Sequence, residues 1–357
     1  MLLFHDSEMA YLRLAVGYLP TQHLHHRPRR PSTPPKMPRH VANNSDDEEP
    51  LDDKTAALQL RSKRTERQKK QQARRDRKRD AIMSLTKLPT ELLIETFTFL
   101  RPGDVLNLSR ACRRFRSLVD ANANVIGNAI IQQRYPLLAQ CLVLPKRLAD
   151  IEPSARLLLL SERRQEFLGI QRKPYQHLRP PDKHLICTCL SCILAWNNLC
   201  VVLDFAHWQT HLETGEPLPI IPRGTTPEWN LSLVRRNADF VQAALQNPLW
   251  HARILEIHLG STIRAIRRQG KNKGNKRKHV DMTDEDAAQD TDTFLSKSGP
   301  LSLEFPYLRD EYHMLEAYLP NRYWKKSEER WIYGTAVHHD RDFAYVIQSK
   351  NSIGIKR

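Results

Sequence analysis

A chain of 357 residues has room for one or two domains and for unpacked segments besides. With 40 % hydrophobic residues, 27 % charged residues and 23 prolines, its composition excludes one uniform globule and describes a soluble protein with long proline-punctuated connections. The formal net charge of +16 favours acidic partners such as nucleic acid, phosphorylated protein or the import machinery, and says nothing about fold.

The first twenty residues carry Asp6 and Glu8 where a secretory signal needs positive charge, so no signal peptide is expected. Residues 21–80 cannot build a core: a Pro- and His-rich run is followed by the acidic block SDDEEPLDD and the basic block LRSKRTERQKKQQARRDRKRD. Residues 1–80 therefore read as a disordered, charge-rich tail, with Met37 as an alternative start and Ser45 beside acidic residues as a site for an acid-directed kinase. The basic block has helix-forming residues without an apolar stripe, so any helix there is exposed. It reads as a nuclear import signal, giving a nuclear or cytoplasmic protein. Nucleic acid is not the expected partner, because no aromatic residues interleave with the charges.

Order is expected from Ile82 onward. Three helical segments fit residues 89–120, broken by the turn at Arg101-Pro102-Gly103 and a bend near Ser109-Arg110. The pattern then stays helical. ARLLLLSERRQEFL at 155–168 reads as one helix, and the apolar run at 186–205 as a core helix, because Asn197 and Asn198 in its middle would be costly in lipid. FAHWQTHLETG ends at a glycine. Thr226 is the predicted N-cap of the next helix, with Pro227 and Glu228 in its first turn. Another helix spans Leu249 to about Arg268, and a last helical piece lies around DEYHMLEAYL. Acidic and basic loops separate the last two, and a short strand or two is expected in WIYGTAVHHDRDFAYVIQ. All six tryptophans fall after the first three helices, so the larger folded body lies there. The fold class is mainly all-α, with residues 126–350 as a helical domain.

In LPTELLIETFTFLRPGDVLNLSRACRRF, residues 88–115, the side chains Leu92, Leu93, Thr96, Phe97, Phe99 and Leu100 cover an arc of about 160° on a helical wheel. One neighbouring helix covers less than that, and a three-helix unit of about 40 residues is marginal without outside support. Apolar side chains are left for a partner. The stretch resembles an F-box: a Leu-Pro opening, Glu-Leu-Leu, a first helix closing in Phe-Leu, a Pro-x-Asp turn, a leucine-rich second helix, and Cys-Arg-Arg-Phe in the third. Thr96 and Ala111 depart from the usual pattern.

That resemblance covers about residues 85–123, in a domain placed at 81–125, and implies docking on the Skp-type adaptor of an SCF ubiquitin ligase. The adaptor-binding positions it implies are Leu88, Pro89, Leu92, Phe97, Leu100, Val105, Leu106, Cys112 and Phe115. Pro89 would start the helix with fixed φ and no orphan N–H. The chain would then be a non-catalytic substrate receptor, joined through the adaptor to a cullin-RING ligase, with residues 126–350 recruiting an unidentified protein substrate. The competing readings are three helices that simply pack on the C-terminal body, a helix-turn-helix, or a nuclear nucleic-acid-binding protein using its basic clusters.

Six cysteines without a secretory signal point to reduced thiols. Cys187, Cys189, Cys192 and Cys200, with His207 and His211 four residues apart, have a metal-ligand rhythm. Zinc fingers set their cysteines in a β-turn, however, whereas these lie in a segment with the character of a buried helix. Core thiols, surface histidines and no metal or other cofactor are expected. The second basic cluster, 264–279, invites a degron pocket built on Arg267, Arg268, Arg277 and Lys278, against a loop balanced by the acidic run after it. No phosphate loop, nucleophile elbow or paired carboxylates stand out, and HHDRD at 338–342 reads as surface.

Overall fold

A computed structural model describes residues 63–85, 87–170, 176–222, 224–271, 282–297, 309–320, 322–328, 330–333 and 338–353. The expectations for residues 1–62 and for the loop half of the second basic cluster lie outside these. The chain divides into two units, 1–84 and 85–357.

In the first unit, the basic block forms one helix, α1 (Lys63–Leu85). The described side chains along it are exposed or half-exposed, as its lack of an apolar stripe requires. Residues 63–80 of the expected disordered tail are therefore helical.

The second unit is built from helices, and proline sets many of their starts. Helix α2 (Thr90–Thr98) begins behind Pro89, α3 (Pro102–Ala111) and α5 (Pro136–Cys141) carry proline at the first position, and so does α6 (Pro153–Leu159). Proline costs nothing there, because its missing N–H would be an orphan anyway. Helix α4 (Arg113–Arg134) is capped by Cys112, whose sulfur accepts from the Phe115 N–H at 3.5 Å. It kinks at Asn122, whose side-chain amide donates to Leu118 O at 2.9 Å, and continues to Arg134. The expected boundary between 125 and 126 thus falls inside one helix.

The segment expected as a single helix at 155–168 is two, α6 and α7 (Glu162–Ile170), separated at Leu160-Ser161. Helix α8 (Leu190–His207) is the apolar run. It is the one described helix long and apolar enough to cross a membrane, and most of it from Cys192 to Phe205 is buried in the core. Helix α9 (Gln209–Thr214) ends at Gly215 in the left-handed region, φ 78°, as its glycine announced. For α10 (Glu228–Gln246) the cap differs from expectation: extended Pro227 occupies the N-cap, and Thr226 lies outside it. Helix α11 (Pro248–Gly270) starts on Asn247, whose side chain accepts from the Leu249 N–H at 2.9 Å.

Helix α11 is the hub, packed against α3, α4, α8 and α10. Leu249, Ala252, Leu255, Leu259, Ile263 and Ile266 line its buried side, and each large apolar side chain removed from water contributes about 1.5–3 kcal/mol. Its close contact with α4 depends on Gly127, where a Cβ would stand 2.4 Å from Leu249 N. The run expected to be an acidic loop is folded as well. Helix α12 (Asp284–Gln289) starts with a capping box at Thr283, and buried Asp292 accepts from the Leu138 N–H at 2.8 Å, capping α5. Tail residues 309–314 form a 3-10 turn rather than an α-helix, followed by buried Leu315, Tyr318 and Leu319. Strands β1 (Arg322–Lys325) and β2 (Arg330–Tyr333) pair antiparallel, and residues 338–348 of the expected strand region lie in helix α13 (His338–Ile353).

Several buried polar groups find partners inside the core. His251 Nε2 meets Leu142 O at 2.8 Å and His258 Nε2 meets Tyr318 O at 2.7 Å, and burial lowers both imidazoles to about 4, keeping them neutral. Asp204 accepts from Tyr312 at 2.9 Å and Trp208 at 3.2 Å. Arg309 lies over the rings of Trp208 and Trp229, 4.8 and 5.2 Å from their centroids.

Candidate functional site

The corner at residues 88–100 is fixed from two sides. Arg114 of α4 donates to Leu88 O at 2.8 Å, and Arg134 donates to Phe99 O at 2.6 Å, so both ends of α2 are tied to α4. Inside, Phe97 and Phe115 meet edge to face at 5.9 Å. Outside, Leu92 is 49 % and Phe99 60 % exposed; seven residues apart, they share a helix face. Pro89 is exposed, and Leu88 and Leu100 are half-buried at the two ends of the same strip. Thr96 sits between Leu92 and Phe99 and donates to Leu92 O at 2.7 Å, so this departure from the pattern lies at the surface and does not soften the core.

The F-box-like family model matches residues 85–123. These residues are an F-box-like domain. No curated protein and no solved structure matches the chain. F-box domains as a class bind Skp-type adaptors and are typically non-catalytic.

The nine positions implied for adaptor contact divide by burial. Leu88, Pro89, Leu92, Leu100 and Cys112 keep accessible surface, whereas Phe97, Val105, Leu106 and Phe115 are buried in the chain's own core. The F-box-like domain is also fused to the body. Glu256 of α11 accepts from the Gly103 N–H at 2.9 Å and pairs with Arg253 at 2.7 Å, which caps α3 from a distant helix. Packing on the C-terminal body is thus real, and it coexists with the exposed strip. Phe99, absent from the implied set, is more exposed than Leu92 on the same strip; its place in the broad wheel arc was the available signal.

The other constellations rearrange. Cys200 is buried in the main core beside Asp204, apart from Cys187, Cys189 and Cys192, which belong to a separate small cluster. His207 and His211 pack edge-on against Trp208, at 4.6 and 4.9 Å, and do not join the thiols. Helix α8 begins only at Leu190, so Cys187 and Cys189 precede the helix that was expected to contain them. All six cysteines are free thiols. The described arginines of the second basic cluster are engaged: Arg264 with Glu213, Arg267 with Asp284, and Arg268 with Gln209. That arrangement fits the charge-balanced reading.

Proposed function

We propose that the chain is the substrate-receptor subunit of an SCF-type cullin-RING ubiquitin ligase. The observation that carries this reading is the apolar strip Leu88, Pro89, Leu92, Phe99 and Leu100, left at the surface of an F-box-like domain whose inner apolar face is packed in the chain's own core. Burying such a strip in an adaptor groove removes apolar surface from water, and the prolyl corner enters already rigid. The helical body would hold the target protein. Catalysis in this scheme is proximity: the receptor raises the concentration of target lysines near the conjugating enzyme and needs no catalytic group of its own. The exposed basic helix α1 supports a nuclear address.

The test is co-purification of the full chain with the Skp-type adaptor and cullin, beside a variant with Leu88→Ala and Pro89→Ala. Adaptor and cullin should accompany the intact chain and be depleted with the variant. An intact, folded chain that retains no adaptor ends this reading.

A further inference from the structure

Cys187, Cys189, Cys192 and His339 bring their ligand atoms within 4.8 Å of one another. Cys189 and Cys192 place their sulfurs 3.4 and 3.2 Å from the same nitrogen, His339 Nδ1. We propose that these four side chains form a structural zinc site that fastens α13, the last described helix, to the start of α8.

The distances suit the ion. Zinc binds sulfur at about 2.3 Å and imidazole nitrogen at about 2.0–2.1 Å, so the edges of its tetrahedron run roughly 3.5–3.8 Å. A closed, buried set of three soft thiolates and one imidazole selects zinc over hard cations. Four-ligand closure leaves no position for substrate, so the role is structural.

The surroundings are built for thiolate. The Cys189 N–H donates to Cys187 Sγ and the Lys146 N–H to Cys192 Sγ, both at 3.4 Å, an arrangement that stabilises charge on sulfur. Cys189 is the N-cap of α8, where the helix dipole favours a negative group. Three thiolates on one Zn²⁺ leave about one net negative charge. Arg164, whose guanidinium donates to Thr188 O at 2.7 Å between the first two ligands, stands near to balance it.

The fourth ligand is held as firmly. Ser191, inside the cysteine motif, donates its N–H to Asp342 at 3.2 Å and its hydroxyl to the same carboxylate oxygen. Asp342 is one helical turn after His339, so this pair sets the turn of α13 that presents the imidazole. The His339 ring stacks on Phe343, with centroids 5.6 Å apart. Phe343, Val346 and Ile347 then cover the small core of Leu148, Ile151, Ala155 and Leu159 around the thiols. Binding would release the three thiol protons to solvent, with His339 donating through neutral Nδ1.

The experiment uses the full chain, purified under reductant from zinc-supplied cells, with metal content read by mass spectrometry. About one zinc per chain is expected in the wild type and in Cys200→Ala, whose thiol lies elsewhere in the core, and far less in Cys189→Ala. His339→Ala should surrender zinc to a competing chelator about 10-fold faster or more. Because a cysteine variant can fail to fold, cobalt exchanged into the wild type gives an independent reading: tetrahedral ligand-field bands with thiolate charge transfer. A folded wild type that carries no zinc and develops no such bands with cobalt overturns the proposal, as does an His339→Ala protein that holds zinc as tightly as wild type.

Discussion

The Gly103 amide donates to the Glu256 carboxylate across 153 residues of sequence, at 2.9 Å. One carboxylate therefore caps the second helix of the F-box-like domain from the hub helix of the body. Replacing Glu256 by Ala leaves the start of α3 uncapped and Arg253 without its partner, and should lower stability by about 1–3 kcal/mol. Urea denaturation of the full chain reads this directly. An unchanged midpoint would remove the cap from the account of how the two parts are joined.

The crossing of α4 and α11 makes a steeper demand. At Gly127 the nearest atoms to an added Cβ are the backbone atoms Leu249 N and Pro248 C, which cannot rotate away. Gly127→Ala should cost about 1–3 kcal/mol by forcing the helices apart. Thermal unfolding checks it, with Gly260→Ala as the control, since nothing lies within 4 Å of a Cβ there.

Binding and folding can be separated within the F-box-like domain. Leu92→Asp should leave stability within about 0.5 kcal/mol of wild type, because the side chain is half exposed, while adaptor affinity falls about 10-fold or more. Phe97→Ala should instead lose about 3–5 kcal/mol, because it empties the contact with Phe115. Calorimetric titration with the adaptor, paired with melting curves, distinguishes the two. Equal effects on both quantities for Leu92→Asp would count against a docking role for the strip.

Acid should destabilise the fold. Burial lowers His177, His251 and His258 to about 4 in the folded chain, so between about pH 6.5 and 4 the unfolded chain binds the protons they refuse. Asp204 and Asp292, raised to about 6 by burial, act in the opposite direction over part of that window, but they are two against three. Melting temperature should therefore fall as pH drops from 6.5 toward 4, and His258→Gln should flatten the slope. A melting temperature that rises on acidification in this range would refute the prediction.

The three helical segments at 89–120, the start at Pro89, the turn at Pro102 and the glycine stop at Gly215 were legible in the chain because each depends on residues a turn or two apart. The break between α6 and α7, the 3-10 turn at 309–314 and the fold of the acidic run were not. In the last case the sequence shows only a cluster of carboxylates, and what makes Asp292 structural is the orphan N–H of Leu138 that it meets. Likewise, the wheel counted apolar faces correctly but could not divide them between partner and body, since Val105 and Leu106 are buried in a core shared with helices more than 100 residues away.

By itself, then, the sequence determined that the chain carries an F-box-like domain, because such a motif is a local pattern of helix starts, turns and apolar spacing. Only the tertiary structure decided which cysteines stand together. The nearby candidates, Cys200, His207 and His211, share a helical stretch with Cys192 yet point elsewhere, while His339 arrives on α13 from the far end of the chain. Convergence of ligand atoms is a property of helix packing, and no spacing in the sequence encodes it.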